Sequence, residues 1–226
     1  MDDWEAWYLA CLERVVDTVG TIGAVAADRI TIRACPQWTP RDLVGHLAGL
    51  AEDWVTTRLD GYASEAWTAA QIARHADQPL HDVLADWHVA GNRLVALDEH
   101  PTMGRPARWA LGDALVHEAD LYESIGSDQR PPLEPIVRHL GAAMARWSPT
   151  LANAGIALHV VTDTAQQWTI GAPDGDGITV SVDEYDCWRT IYGRRGRAAT
   201  TNLRWSGDPT AIIALALPYP FHYPPD

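Results

Sequence analysis

The chain has 226 residues, of which 47% are hydrophobic and 21% are charged, and its formal net charge at pH 7 is −13. This composition is that of a soluble globular protein with a substantial core, folded as one large domain or two modest ones. The acidic balance argues against nucleic acids and anionic membranes as partners, because phosphate groups bind to cationic surfaces. No apolar run approaches the roughly 18 residues of a membrane span, and the acidic start lacks the basic residues of a signal peptide, which together predict a cytoplasmic protein.

Two amphipathic helices are predicted in the first part of the chain. Apolar residues at helical spacing indicate a helix from Asp2 to about Val25. A second helix is predicted to begin at Thr39-Pro40-Arg41-Asp42, with Thr39 as the cap and Asp42 returning a hydrogen bond to it. His46 lies on the apolar stripe of this helix, where an imidazole is unfavourable unless its nitrogens are satisfied. It is therefore either a metal ligand or a core histidine bonded to a carbonyl or carboxylate.

The stretch from Trp109 to Gly126 carries the clearest chemical signal. It sets Asp113 and His117 four residues apart on one helix face, where a carboxylate and an imidazole can bind the same metal ion. The alternative is a water-facing polar surface, because the apolar residues of the helix lie roughly opposite. With a further helix at Leu80 to Asp98, four long helices precede Gly126 and favour an antiparallel bundle, in which His46 is the third ligand candidate.

The chain changes character after a fifth predicted helix at about Glu134 to Ala152. From Gly155 onwards the apolar residues alternate with a period of two, which predicts a small α+β domain. The predicted boundary gives domains of residues 1–153 and 154–226. The second domain holds the densest arginine group of the chain, which comprises Arg194, Arg195 and Arg197. Its predicted strands are Ile156 to Thr162, Gln167 to Ile170 and Ile178 to Val182, with an extended segment at Asn202 to Trp205 and helices at Glu184 to Tyr192 and Pro209 to Leu217.

The three cysteines offer neither a disulfide framework nor a zinc or redox motif. Cys11, Cys35 and Cys187 are few and scattered, and no C-x-x-C pair is present. We therefore expect buried thiols without a chemical role. All 17 basic residues are arginine, a composition typical of a GC-rich genome.

Several motifs, taken together and in order, resemble one family. They are WTPRDLVGHLAG (Trp38 to Gly49), D-x-x-x-H-E-A-D-L (Asp113 to Leu121), and G-R-R (Gly193 to Arg195) followed by S-G-D-P (Ser206 to Pro209). They are similar to the mycothiol-dependent maleylpyruvate isomerase family, and the resemblance spans nearly the whole chain. It implies an α+β protein with an N-terminal DinB-like four-helix bundle and a small sterol-carrier-protein-like C-terminal domain.

The resemblance also implies a divalent metal, usually zinc, held by His46, Asp113 and His117. The family has a glutamate where this chain has Asp113, and the shorter side chain is expected to alter the geometry or strength of the site. A catalytic arginine is implied in the C-terminal domain, where Arg194 is the best match and its neighbours Arg195 and Arg197 are substrate-binding candidates. Two histidines and one carboxylate would leave zinc an open position, at which a thiol such as mycothiol loses its proton.

These observations predict an actinobacterial, metal- and mycothiol-dependent transferase or isomerase. Its partners would be a thiol and a small electrophilic or unsaturated substrate, and the chain would be a monomer or a small homo-oligomer. The thiolate would add to a double bond and then leave after rotation, or stay as a conjugate. One alternative is a non-haem iron enzyme with the same two-histidine-one-carboxylate set. Another is a metal-free binding or carrier protein of the same fold.

Overall fold

A computed structural model of the chain describes residues 3–218, which form two compact units divided between Pro131 and Pro132. None of the helices in residues 3–218 combines the length and the hydropathy that a membrane span requires. The described part of the first unit contains five helices: α1 (Trp4–Ala27), α2 (Pro40–Val55), α3 (Glu65–His75), α4 (Leu80–Val95) and α5 (Pro106–Ser124).

The four long helices of the first unit form the predicted bundle. α2 packs against α4 and α5, and α1 packs against α5 and α4. The start predicted for α2 is confirmed: Thr39 accepts a hydrogen bond from the Asp42 backbone N–H, and the Asp42 carboxylate accepts one from Thr39 N at 2.8 Å. The core between the helices is made of large side chains with at most 2% exposure, among them Tyr8, Leu12, Leu43, Leu47, Trp54, Trp87, Leu111 and Leu115.

The short helix α3 was not predicted from the sequence. It begins at the cap Ser64, whose hydroxyl accepts a hydrogen bond from the Trp67 backbone N–H, and it packs against α2. Its two buried residues, Gln71 and His75, are both polar. The apolar residues of this segment are mostly alanines, and they did not mark the face that α3 buries.

The second unit combines helices with one mixed sheet. The sheet order is β2-β1-β3-β4, in which β1 pairs antiparallel with β2 and parallel with β3, and β3 pairs antiparallel with β4. The consecutive strands β2 and β3 are thus separated by β1. The elements are α6 (Leu133–Asn153), β1 (Ile156–Thr162), β2 (Gln167–Gly171), β3 (Asp176–Val182), α7 (Glu184–Ile191), α8 (Arg197–Thr201), β4 (Arg204–Trp205) and α9 (Thr210–Ile213).

Helix α6 belongs with the sheet and not with the bundle. It packs against β2, β1 and α7, so the second unit begins at Pro132. The boundary predicted after residue 153 differs from this division. The amphipathic pattern of α6 predicts that the helix buries one face, but it does not identify the surface that covers that face. The α+β class, with a helical part followed by a small sheet, is confirmed.

Candidate metal centre

The three predicted metal ligands lie together inside the first unit. His46 comes from α2, and Asp113 and His117 come from successive turns of α5. One carboxylate oxygen of Asp113 is 2.8 Å from His46 Nε2, and the other is 3.6 Å from His117 Nε2. One ligand atom from each residue lies within 4.8 Å of the other two. A single metal ion can therefore accept all three side chains.

The centre has a buried side and an open side. His46 and His117 are 3% and 4% exposed, whereas the Asp113 side chain is 31% exposed. The Trp38 ring lies against both imidazoles, with ring centroids 5.2 and 5.3 Å away. The Asp113 face of α5 is therefore not a simple solvated surface, and the centre meets solvent on its carboxylate side.

The second nitrogen of each histidine ring is also held. His46 Nδ1 lies 2.8 Å from Gln71 Oε1, and His117 Nδ1 lies 3.0 Å from Asp120 Oδ2. The Gln71 amide nitrogen donates to Asp53 at 2.8 Å, so that its oxygen faces His46. With hydrogens on both Nδ1 atoms, both Nε2 atoms present lone pairs. Oxygen acceptors on the outer nitrogens are the usual surroundings of metal-bound histidines.

The donor set fits a cation. Both nitrogens of His46 have partners, as a core histidine requires. The contacts of His46 alone therefore fit both a metal ligand and a core histidine. His117 adds a second imidazole nitrogen, which converges on the same Asp113 carboxylate. Two lone pairs and a carboxylate in one place repel one another unless a proton or a metal ion lies between them.

Burial sets the protonation of His117. Removal from water lowers the pKa of His117 below its ordinary value, and the nearby carboxylates of Asp120 and Asp113 offset this only in part. The His46 ring opposes protonation of His117 as well. The neutral imidazole is the form that binds metals.

One cysteine lies beside the centre, although all three were expected to be buried. The Cys35 sulfur lies within 4.8 Å of ligand atoms of His117 and Asp120, and Cys35 is only half-buried, which corrects that expectation. Cys11 and Cys187 are buried, and burial raises the pKa of Cys187 to about 12. Spacing along the chain gave no signal for Cys35, because the loop that carries it meets α5 only in the folded protein.

A second histidine–carboxylate group in the first unit is better explained by ion pairs. Glu52, His75 and Asp86 also bring ligand atoms within 4.8 Å of one another. His75 Nε2 lies 3.4 Å from Glu52, and the guanidinium groups of Arg74 and Arg58 lie 3.7 and 3.8 Å from the same carboxylate. These cations already compensate Glu52, so a metal ion would meet positive charge there.

The unfolding free energy is expected to depend on pH through His75. Its contact with Glu52 raises the pKa of His75, with a smaller contribution from the hydrogen bond to Gln78, against the opposing effects of burial and of Arg74. Protonated His75 therefore stabilises the fold below its ordinary pKa of about 6.5, and this contribution is lost as the pH rises through the raised pKa. In urea denaturation, the difference in unfolding free energy between the wild type and His75→Gln should be largest at acidic pH. A gap that is constant or widens with pH would contradict this.

The three arginines predicted to meet the substrate belong to the second unit. Arg194 follows α7, and its guanidinium donates to a backbone carbonyl of the same turn at 3.0 Å. Arg195 forms an ion pair with Asp186 at 2.8 Å, and Arg197 donates to the carbonyl of Ile213. Arg195 and Arg197 thus make contacts that hold their own unit together.

Comparison with known proteins gives matches to one family. The sequence model described as the mycothiol maleylpyruvate isomerase N-terminal domain matches residues 8–122. A crystal structure of a mycothiol-dependent maleylpyruvate isomerase is 15% identical and has a TM-score of 0.61, covering 90% of this chain and 92% of that one. The crystal structure of a histidine-to-alanine mutant of such an isomerase has the same identity and coverage with a TM-score of 0.60. No curated protein matches the chain.

The family match covers half of the chain, and the matched residues include His46, Asp113 and His117. At 15% identity the two crystal structures show the same fold over nearly the whole chain. The family resemblance carried by the sequence motifs is thereby confirmed. The chain belongs to the mycothiol maleylpyruvate isomerase family, as defined by that family's N-terminal domain.

Proposed function

We propose that this protein is an enzyme that binds a divalent metal ion, zinc by its donor set, and uses it with a low-molecular-weight thiol, mycothiol. The observation that carries the proposal is the convergence of two imidazole nitrogens on the Asp113 carboxylate, at 2.8 and 3.6 Å. His46, Asp113 and His117 would hold the ion. Two histidines and one carboxylate leave tetrahedral zinc an open position, as catalytic sites do. The family to which the chain belongs supports mycothiol as the thiol.

The bound metal would supply an acidified thiol, because a thiol that coordinates zinc is deprotonated at neutral pH. The residues of the chain prepare this chemistry. Gln71 and Asp120 orient the two rings, burial keeps His117 neutral, and Trp38 covers the imidazoles. The partly exposed Asp113 marks the side from which the thiol and the substrate enter.

The reaction that follows is addition to an electrophilic double bond. The thiolate sulfur forms a bond to one alkene carbon, and the electron pair of the double bond moves to the activating carbonyl. The former carbon–carbon double bond is now single, so rotation about it can occur. Expulsion of the thiolate then restores the double bond and gives the trans isomer. If the adjacent carbon is protonated instead, a stable thioether remains. The substrate class is thus a small unsaturated acid of the maleylpyruvate type, or another electrophile that accepts the thiol.

We assign recognition of the substrate carboxylate to the arginine group of the second unit. A guanidinium binds a carboxylate through two parallel hydrogen bonds. Arg194 is our first candidate, because the G-R-R motif that begins at Gly193 places it at the position of the family's catalytic arginine. Arg195 and Arg197 are second candidates, since an ion pair to Asp186 and a bond to the Ile213 carbonyl already engage them.

The test combines metal content with a thiol-dependent assay. Purified protein analysed by mass spectrometry is expected to contain about one zinc per chain. It should turn over maleylpyruvate only when mycothiol is added, and His46→Ala should lose both properties. Protein that takes up no zinc when it is offered would overturn the proposal in favour of a metal-free carrier. Oxygen consumption with iron and without thiol would overturn it in favour of a non-haem iron enzyme.

A further inference from the structure

Behind His46 lies a chain of buried polar side chains that ends in two arginines. Gln71 Oε1 contacts His46 Nδ1 at 2.8 Å, and Gln71 Nε2 donates to Asp53 at 2.8 Å. Asp53 in turn accepts from Arg74 at 2.7 Å and from Arg58 at 3.0 Å. Gln71 is 0% exposed and Asp53 is 3% exposed. Such groups are retained in a protein interior only when they are hydrogen-bonded.

The charge on Asp53 determines the direction of the hydrogen bonds between Asp53, Gln71 and His46. Burial opposes ionisation of Asp53, but the hydrogen bonds from Arg74, Gln71 and Arg58 outweigh it and lower the pKa of the carboxyl. An ionised carboxylate can only accept hydrogen bonds. The Gln71 NH₂ group must therefore face Asp53, and its carbonyl oxygen must face His46.

The backbone is shaped to let Gln71 reach His46. A Cβ atom at Gly49 of α2 would lie 2.6 Å from the Gln71 Cβ and 3.0 Å from its Cα. Only glycine allows α3 to approach α2 this closely at that point. The two residues that α3 fully buries, Gln71 and His75, are polar, and Gln71 contacts His46 of α2. The close approach of α3 to α2 brings the Gln71 amide within hydrogen-bond distance of His46.

We propose that Gln71, oriented by Asp53, is a positioning residue for the metal centre. It holds the proton of His46 on Nδ1, so that the lone pair of Nε2 is directed towards Asp113 and His117. The negative charge of Asp53 polarises the amide and strengthens the Gln71 oxygen as an acceptor, which makes His46 a better ligand. This inference rests on the metal site proposed above and adds the device that orients one of its ligands.

The first test removes the acceptor. Gln71→Leu is expected to weaken zinc binding by about 10- to 100-fold, the usual effect of losing an outer partner of a ligand. The affinity is measured by competition with a chelator of known strength. Gln78→Leu is the matched control, because it makes the same change at the glutamine that contacts His75 Nδ1 at 2.7 Å. Zinc affinity should be unchanged in that variant.

The second test exchanges donor and acceptor. Gln71→Glu alone places a second carboxylate next to that of Asp53, and neither can donate a hydrogen bond. Asp53→Asn alone removes the negative charge that orients the Gln71 amide. In the double variant Gln71→Glu/Asp53→Asn, a carboxylate faces His46 and an amide donates to it, so the hydrogen-bond pattern and the total charge are restored. Each single variant should bind zinc more weakly than wild type, and the double variant should recover the affinity. A role in packing alone predicts no such recovery.

A spectroscopic measurement reads the tautomer directly. In the zinc-loaded wild type, the His46 Nδ1 proton should give a slowly exchanging NMR signal, which Gln71→Leu should lose and the double variant should regain. Equal zinc affinity in wild type and Gln71→Leu, or a double variant no better than the single ones, would overturn the positioning role. Failure of the proposed function would look different, because wild type and His46→Ala would then fail alike to bind zinc.

Discussion

Zinc binding is expected to fall by more than about 100-fold in His117→Ala, and thiol-dependent turnover should disappear with it. Loss of an outer partner alone weakens a site by about 10- to 100-fold, and His117 is proposed as a direct ligand. Its removal would leave His46 and Asp113, too few protein ligands for a catalytic zinc. Metal content after dialysis, together with the turnover rate at saturating thiol, measures both effects.

The control is the same substitution at an exposed histidine. The His81 side chain is 82% exposed, and it lies 3.1 Å from Asp82. His81→Ala should therefore keep the wild-type zinc content and rate. If His117→Ala retains its zinc under conditions in which His81→Ala does, the ligand assignment is wrong.

Arg14→Ala is expected to lower the unfolding free energy by about 3 kcal/mol. Glu118 follows His117 on α5 but is 0% exposed, and Arg14 of α1 contacts its two carboxylate oxygens at 2.5 and 2.9 Å. Removing the guanidinium leaves a buried carboxylate with neutral donors only, the Tyr122 hydroxyl and the Cys11 thiol. Breaking a buried pair costs about 3–5 kcal/mol, and the lower end applies because the Arg14 side chain is 32% exposed.

Urea denaturation measures this effect, with Arg105→Ala as the control. Arg105 pairs with Glu5 at 2.8 Å and with Glu99 at 3.3 Å, but at the exposed surface, where screening by water leaves such pairs little influence. The control should unfold at nearly the wild-type urea concentration. Similar midpoints for both variants would show that the Glu118 pair does not stabilise the bundle.

The sequence was informative where chemistry follows helical periodicity. Asp113 and His117 share a face because they are four residues apart, and His46 stood out as an imidazole on an apolar stripe. The structure brings all three together. Asp113 was expected to alter the site because it is shorter than the family's glutamate. Its two oxygens lie 2.8 and 3.6 Å from the two Nε2 atoms. The effect of the shorter side chain on the strength of the site stays a prediction.

The sequence was silent where contacts join distant segments through polar groups. The residues that α3 buries are polar, so apolar periodicity gave no sign of the contact between Gln71 and His46. Strand positions followed from alternation, whereas the placement of β1 between β2 and β3 did not, because alternation does not encode pairing order. Helix α6 was visible as an amphipathic helix, but its partner was not.

The polar residues that α3 buries have a consequence for how the proposed metal centre would lose its ion. A helix whose fully buried side chains are both polar gains less from the hydrophobic effect, so we expect α3 to open locally before the bundle unfolds. Once α3 opens, His46 loses the acceptor on Nδ1 while its own helix is still intact. On heating, we therefore expect a bound metal ion to be released before the bundle unfolds.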